Sequence, residues 1–143
     1  MLDISRTRTR IREIRKHLEI LEKYFKGLSE KELIKDDRLN AEAERHLEIA
    51  IQACIDIANH IIASYGLIRP EKEASEAFTS LAKEDIIPED FVDTMVKMTA
   101  YRNVIVHGYL DVDRRITYDN IQNHLVDISQ FAKYIEEFLE KQA

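Results

Sequence analysis

Apolar residues recur along this chain at the three- and four-residue spacing of amphipathic helices. The longest stripe predicts a helix over residues 43–65, and its members are Ala43, Leu47, Ala50, Ile51, Cys54, Ala58, Ile61, Ile62 and Tyr65. Gly66 follows this stripe and Pro70 lies just beyond it, as expected where a helix ends. A second stripe predicts a first helix that is capped at Asp3 and stops at Gly27; its members are Ile4, Ile11, Ile14, Leu18, Leu21 and Phe25.

Three further helical segments follow from the same spacing. Residues 29–36 read as a short connecting helix or loop that turns Leu33 and Ile34 inward, and residues 71–83 as a shorter helix. Proline and two acids at 88–90 form a helix start signal, because proline suits the first turn and acids favour the positive end of the helix dipole. That helix carries Phe91, Val92, Met95, Met98 and Thr99 and should end near Gly108.

The C-terminal part predicts a polar loop over 110–116 and then a single last helix. Thr117 and Asn120 resemble a weakened capping box, which places the helix start near Tyr118. The apolar positions of this helix are Ile121, Leu125, Ile128, Phe131, Ile135 and either Phe138 or Leu139.

The whole pattern predicts one all-α domain over residues 1–143, a bundle of four main helices and one short extra helix. No alternation is long enough for a strand, and the chain shows no repeat, linker or low-complexity tract. Only 3 glycines and 2 prolines occur in 143 residues, so turns are few and elements are long.

Charge limits the classes of partner. The formal net charge of −6 argues against sequence-blind coating of nucleic acid, which needs a basic face, but leaves room for a small site with its own arginines. The first sixteen residues depart from this balance, since Asp3 and Glu13 oppose six cations: Arg6, Arg8, Arg10, Arg12, Arg15 and Lys16. This cluster is either a local basic face or an ordinary solvated helix face, and the second interpretation is favoured.

The single cysteine, Cys54, excludes an internal disulfide and a cysteine-based zinc site, and its place on the apolar stripe predicts a buried, inert thiol. The first ten residues have no apolar core and do not read as a secretory signal. No apolar run approaches the ~20 residues of a membrane span. A cytoplasmic protein without a membrane segment is therefore expected.

The segment 101–109 carries the chemistry. Arg102 offers a permanently charged fork of donors for a phosphate, and His107 can take or give a proton near neutral pH. Tyr109 offers a hydroxyl that another protein could modify. Asn103 could orient a phosphate or hold the helix end, and residues 104–106 are expected to anchor the segment.

Spacing sets a geometric problem. Residues five apart on a regular helix are separated by ~140°, so Arg102 and His107 cannot share one face. Either the helix ends between them and Gly108 lets His107 swing back, or the site is assembled from two copies across a two-fold axis. A combination of the two is favoured. In a purely structural alternative, Arg102 pairs with a neighbouring acid and His107 caps the helix carbonyls.

A polar row on the long helix is the second candidate. Gln52, Asp56 and His60 are spaced four apart, so they share one face, and Asn59 flanks them. The row is read as a metal site, an exposed helix face, or a supporting shell for the Arg102 and His107 pair. With two possible ligands, metal is the weakest of these. Three more histidines, at 17, 46 and 124, show no partner pattern and are expected to be ordinary flanking residues.

These motifs together resemble the HEPN superfamily, and within it the HepT-like toxins of toxin–antitoxin pairs. Arg102, His107 and Tyr109 match the family motif of arginine, four residues, histidine, one residue and tyrosine. The run from 44 to 60 and the later segment from 111 to 118 are also similar to this family.

The resemblance implies a helical homodimer that acts as a metal-independent endoribonuclease without a cofactor. Attack by the ribose 2′-hydroxyl would use His107 as general acid or base and Arg102 to stabilise phosphoryl charge. Tyr109 would accept AMP from a partner nucleotidyltransferase, the MntA-type antitoxin. Asp56 and His60 would line the site.

Two other hypotheses remain beside a toxin ribonuclease that is neutralised at Tyr109. The chain could be a non-enzymatic module that binds a nucleotide or docks a nucleotidyltransferase. A purely structural dimer is the weakest alternative, because it leaves the segment 101–109 unexplained.

Overall fold

The computed structural model describes residues 2–66, 75–108 and 112–142, and these residues contain helices and no strand. The described residues form seven α-helices, with a short 3-10 turn at Glu89–Phe91 between α4 and α5. Their bounds are α1 Ile4–Tyr24, α2 Glu30–Lys35, α3 Asp37–Ser64, α4 Glu76–Lys83, α5 Val92–His107, α6 Arg114–Asn123 and α7 Leu125–Gln142. The predicted all-α class is confirmed. The four main helices are the long ones, α1, α3, α5 and α7, but three shorter helices accompany them rather than one.

The long helix α3 is the centre of the molecule. It packs against each of the other six α-helices, and twelve of its residues are buried. By length and composition alone, α3 is long and apolar enough to span a membrane. Its most apolar stretch of 18 residues has a mean hydropathy of 1.2. Of that stretch, 56% is buried inside the protein, which is what a core helix requires.

Both ends of α1 follow from short-range signals. The Asp3 side chain accepts a hydrogen bond from the Arg6 backbone N–H, so the predicted cap is confirmed. The helix ends at Tyr24, before Gly27, because the backbone N–H groups of Phe25 and Lys26 both donate to the Leu21 carbonyl. α2 then begins with a reciprocal capping box between Ser29 and Glu32.

The helix that carries the candidate site starts and ends as the sequence predicts. Pro88 precedes the 3-10 turn, α5 continues from Val92, and Gly108 follows its last residue. The predicted helix over 71–83 is confirmed for Glu76–Lys83, and residues 71–74 lie outside the described residues.

The prediction for the C-terminal part was wrong in its boundaries. Asp113 caps α6 through its side chain, which accepts from the Arg115 N–H, so 114–116 are helical. Thr117 and Asn120 are buried inside α6 and form no capping box. The expected single helix is two, since α6 ends at Asn123 and α7 begins at Leu125.

Candidate active site

The last two turns of α5 hold three of the predicted site residues. Arg102, Asn103 and His107 all lie within this one uninterrupted helix, whereas Tyr109 falls outside the described residues. The Gly108 N–H donates to the Val104 carbonyl at 2.6 Å and closes the helix. The helix therefore does not end between Arg102 and His107, and the two side chains leave it ~140° apart.

Tyr101 fixes the position of this segment. Its side chain is only 7% exposed, and its hydroxyl shares a hydrogen bond of 2.9 Å with the Thr117 hydroxyl of α6. Burial raises the pKa of this phenol, so it stays neutral. The bond ties α5 to α6 immediately beside Arg102, and a buried phenol with a satisfied hydroxyl is a rigid support for its neighbour.

Arg102 is a half-buried cation that lacks a carboxylate partner among the described residues. Its Nη1 donates to the Asn103 side-chain oxygen at 3.1 Å, and its Nε is buried without a hydrogen-bond acceptor. Burying a cation without a counter-ion is costly. The structural alternative, in which Arg102 pairs with an acid, therefore finds no support in the described part of the chain, and the free donors suit an anion.

His107 is the last residue of α5 and is exposed. Its imidazole makes no hydrogen bond within the described residues, so the expected capping of helix carbonyls is not seen there. The residues before His107 anchor the end of α5 in the core less than predicted. Ile105 and Val106 are half-buried, but Val104 is 48% exposed. Within the described residues, the end of α5 thus presents an imidazole without a hydrogen-bond partner beside an exposed apolar side chain.

The polar row of α3 faces α1. Gln52 donates to Asp56 at 2.9 Å, and the other oxygen of Asp56 accepts from Arg10 at 3.1 Å. Nε2 of His60 accepts from the backbone N–H of Asp3 at 3.0 Å. α3 does pack against α5, as a supporting shell requires, but Asp56 and His60 contact α1 in this single chain rather than Arg102. Their role in lining the site stays a prediction.

Two contacts made by histidines were not predicted from the sequence. Nδ1 of His17 on α1 and Nδ1 of His46 on α3 are 2.8 Å apart, so the two rings share a hydrogen bond. His124, between α6 and α7, contacts Asp127 at 2.9 Å and Asp119 at 3.3 Å. The three-residue spacing of His124 and Asp127 was a visible signal, whereas nothing in the sequence links residues 17 and 46.

The described residues hold no group of three or more His, Cys, Asp or Glu side chains placed to share a metal ion. Cys54 is fully buried, and burial raises the pKa of its thiol, so it stays protonated and inert, as predicted. The groups that the end of α5 offers are therefore a guanidinium for an anion and an imidazole for proton transfer.

Comparison with known proteins gives consistent matches over most of the chain. The model of a family described as "Ribonuclease HepT-like" matches residues 14–135. The mRNA nuclease HepT of Shewanella oneidensis is 36% identical over 91 residues, which are 64% of this chain and 68% of that protein. The tRNA nuclease HepT of Aphanizomenon flos-aquae is 27% identical over 133 residues, 92% of this chain and 88% of that protein.

A solved structure shares the fold over nearly the full chain. It is the tri-AMPylated Shewanella oneidensis HEPN toxin in complex with MNT antitoxin, which matches with a TM-score of 0.84 and 30% identity. The match covers 96% of this chain and 99% of that chain.

Proposed function

Because the chain belongs to the HepT-like family of ribonucleases, we propose that it is the RNA-cleaving toxin of a toxin–antitoxin pair and that Arg102 and His107 carry out the cleavage. The observation that carries this proposal is the half-buried guanidinium of Arg102, which has no carboxylate partner in the described residues. A phosphodiester would supply the missing counter-charge.

The chemistry follows from what each group can do. Arg102 would hold the phosphoryl oxygens, where negative charge grows during attack by the ribose 2′-hydroxyl. The exposed His107 would exchange a proton with the attacking or the leaving oxygen. Neither step calls for a metal ion. Asn103 would orient Arg102 through the hydrogen bond between their side chains.

A second copy of the chain would complete the site. Arg102 and His107 diverge by ~140° on one continuous helix, which favours a cleft shared by two chains. Val104 lies next to His107 on the surface of α5 and is 48% exposed, as an interface residue would be before assembly. A two-fold contact brings the same surface of both copies together, so it would pair two α5 ends.

Cleavage of single-stranded RNA in the presence of a chelator tests the assignment. Arg102→Ala and His107→Ala should each lower the rate by about 100-fold or more, the usual contribution of such groups. Arg38→Ala is the matched control and should leave the rate unchanged, because Arg38 is exposed at the start of α3. Equal cleavage by wild type and His107→Ala would remove His107 from the mechanism.

Tyr109 would be the control point. It follows Gly108 directly and is the second residue after His107, with which α5 ends. A tri-AMPylated toxin in complex with an MNT antitoxin is known from Shewanella oneidensis, which supports AMP transfer from an MntA-type nucleotidyltransferase to this tyrosine. Each AMP group would add bulk and negative charge to the segment that follows α5 and would compete with RNA.

Intact mass after co-expression with such a transferase tests the modification. Wild type should gain mass in steps of one AMP, and Tyr109→Phe should gain none. Tyr24→Phe is the matched control, since Tyr24 is an exposed tyrosine at the end of α1, outside the segment 101–109. An unshifted wild-type mass with a transferase that is active on another substrate would refute the proposal for Tyr109.

A non-enzymatic module is the second candidate, and one observation favours it. His107 has no orienting carboxylate among the described residues, whereas a general base is usually held by a partner. Under this alternative the chain binds RNA or a nucleotidyltransferase but never turns over RNA. Cleavage that depends on His107 would exclude it.

A further inference from the structure

Five of the seven arginines and lysines of α1 fall into two groups with different surroundings. Arg10 pairs with Asp56 of α3, and Arg15 pairs with Glu136 and bonds to Ser129 of α7. These two cations lie at the borders of α1 with its neighbours and are neutralised there. Arg8, Arg12 and Lys16, which we call the basic strip, are exposed and form no salt bridge within the described residues.

The basic strip is one continuous surface. Its three members are four residues apart, so each lies ~40° around the helix and ~6 Å along it from the next. It lies opposite the buried side of α1, which is formed by Thr7, Ile11, Ile14, Leu18 and Leu21. Ser5 and Thr9 are exposed beside it, and Arg12 donates to the Thr9 hydroxyl at 2.9 Å.

Helix stability does not explain this arrangement. Cations four residues apart on one helix face repel one another, so the spacing of the basic strip does not stabilise α1. In a chain with a net charge of −6, three cations in a row without a salt bridge to any described residue favour a polyanionic ligand.

We propose that the basic strip binds the phosphate backbone of RNA outside the cleavage site. Cations at a regular spacing of one helical turn, with hydroxyl groups beside them, suit a row of phosphates and carry no sequence preference. α3 lies between α1 and α5 and packs against both. The strip therefore holds a flanking part of a long RNA and leaves a short RNA at Arg102 unaffected. This inference rests on the proposed function for its substrate.

RNA binding by two matched variants tests the strip. The first carries Arg8→Gln, Arg12→Gln and Lys16→Gln; the second carries Lys31→Gln, Lys35→Gln and Lys133→Gln, three exposed lysines elsewhere, and so has the same net charge. Both are made in a His107→Ala background, which prevents cleavage, and circular dichroism checks that they fold. Anisotropy of a long fluorescent oligouridylate gives the affinity at several salt concentrations.

The strip variant should bind at least ~10-fold more weakly at low salt, and its log–log salt slope should be shallower by about 2, as for three lost phosphate contacts on a single strand. The lysine control should bind like the parent. Equal loss in both variants, or no loss in the strip variant, overturns the proposal. The proposal is also overturned if the strip variant keeps its RNA affinity but no longer binds the nucleotidyltransferase. The basic strip would then contact an acidic protein surface instead of RNA.

The result separates this inference from the proposed function. With an intact His107, the strip variant should cleave a dinucleotide at the wild-type rate and a long RNA more slowly. Strip-dependent RNA binding without cleavage by wild type would support the strip and refute the proposed function. A strip variant that cleaves long RNA at the wild-type rate would support the proposed function and refute RNA binding by the basic strip.

Discussion

Gly108 ends α5 at a place where a side chain has no room. A Cβ atom there would overlap the Val104 carbonyl oxygen, so Gly108→Ala must displace the backbone at the helix end. We expect a loss of about 1–3 kcal/mol in the free energy of unfolding, and slower RNA cleavage because the neighbouring His107 moves. Urea unfolding and a cleavage assay measure the two effects.

Gly27→Ala is the control for this substitution. A Cβ at Gly27 meets nothing within 4 Å and the residue has no positive φ, so alanine should be neutral or slightly stabilising there. A Gly108→Ala protein as stable and as active as the Gly27→Ala protein would show that the close approach to Val104 is relieved without cost.

Single residues differ in how far the sequence reveals them. Arg102 and His107 could be proposed because, with Tyr109, they match the family motif, and because Gly108 marks the end of the helix that carries both. The contact between His17 and His46 could not, because it joins two helices and depends on their relative rotation. Pairs of this kind follow from packing, which periodicity does not encode at the level of single atoms.

At the scale of elements, the packing of α1 on α3 contains a group that titrates. With the Nδ1 atoms of His17 and His46 2.8 Å apart, one ring donates and the other accepts, so at least one must be neutral. Burial and then charge repulsion between the rings lower the pKa of His17, and burial followed by nearby Lys16 lowers that of His46. Arg45 opposes protonation of His17 as well.

Acid should therefore weaken the contact between α1 and α3. Glu13 and Glu42 attract the protonated rings, but the net direction of both pKa values is downward. The folded protein binds these protons less readily than the unfolded chain, so their stabilising effect is present above the unfolded pKa of about 6.5. It is lost as the pH falls from there toward the lowered pKa values of the folded state.

Urea unfolding at pH values from 8 to 5, a range around the unfolded histidine pKa of about 6.5, measures this effect. The stability advantage of wild type over His46→Gln should shrink as the pH falls, because the variant lacks the second ring. His107→Gln is the control; its site is exposed, and its stability should run parallel to that of wild type. Parallel curves for wild type and His46→Gln would contradict the proposed role of the histidine pair.

Elements with a strong apolar stripe could be predicted, and those without one could not. α3 and α1 were found because their buried positions are apolar and regular. α6 was mistaken for a loop followed by part of α7 because two of its three buried residues, Thr117 and Asn120, are polar. The break between α6 and α7 at His124 contains no glycine or proline that would mark it in the sequence. The His124 imidazole contacts the carboxylates of Asp119 in α6 and Asp127 in α7.

At the scale of the whole molecule, one chain does not bring the proposed catalytic groups together. Arg102 and His107 leave a continuous helix ~140° apart, and the described residues supply neither with a charged partner. A sequence describes one copy of the chain, so periodicity predicts the bundle but not a surface that is completed by a second copy. The exposed Val104 near the end of α5 supports the proposal of such a surface.

Mixing two inactive variants tests whether the site is shared. If Arg102 of one chain acts with His107 of the other, a dimer of Arg102→Ala and His107→Ala chains contains one intact site and one doubly altered site. Random mixing makes half of the dimers mixed, so about a quarter of wild-type RNA cleavage should return, although each variant alone is inactive. Mixing either variant with an Arg102→Ala, His107→Ala double variant is the control and should restore nothing. If the mixed dimers form, as shown by native mass spectrometry, and remain inactive, then each site draws both residues from one chain and the ~140° separation must be bridged by the substrate.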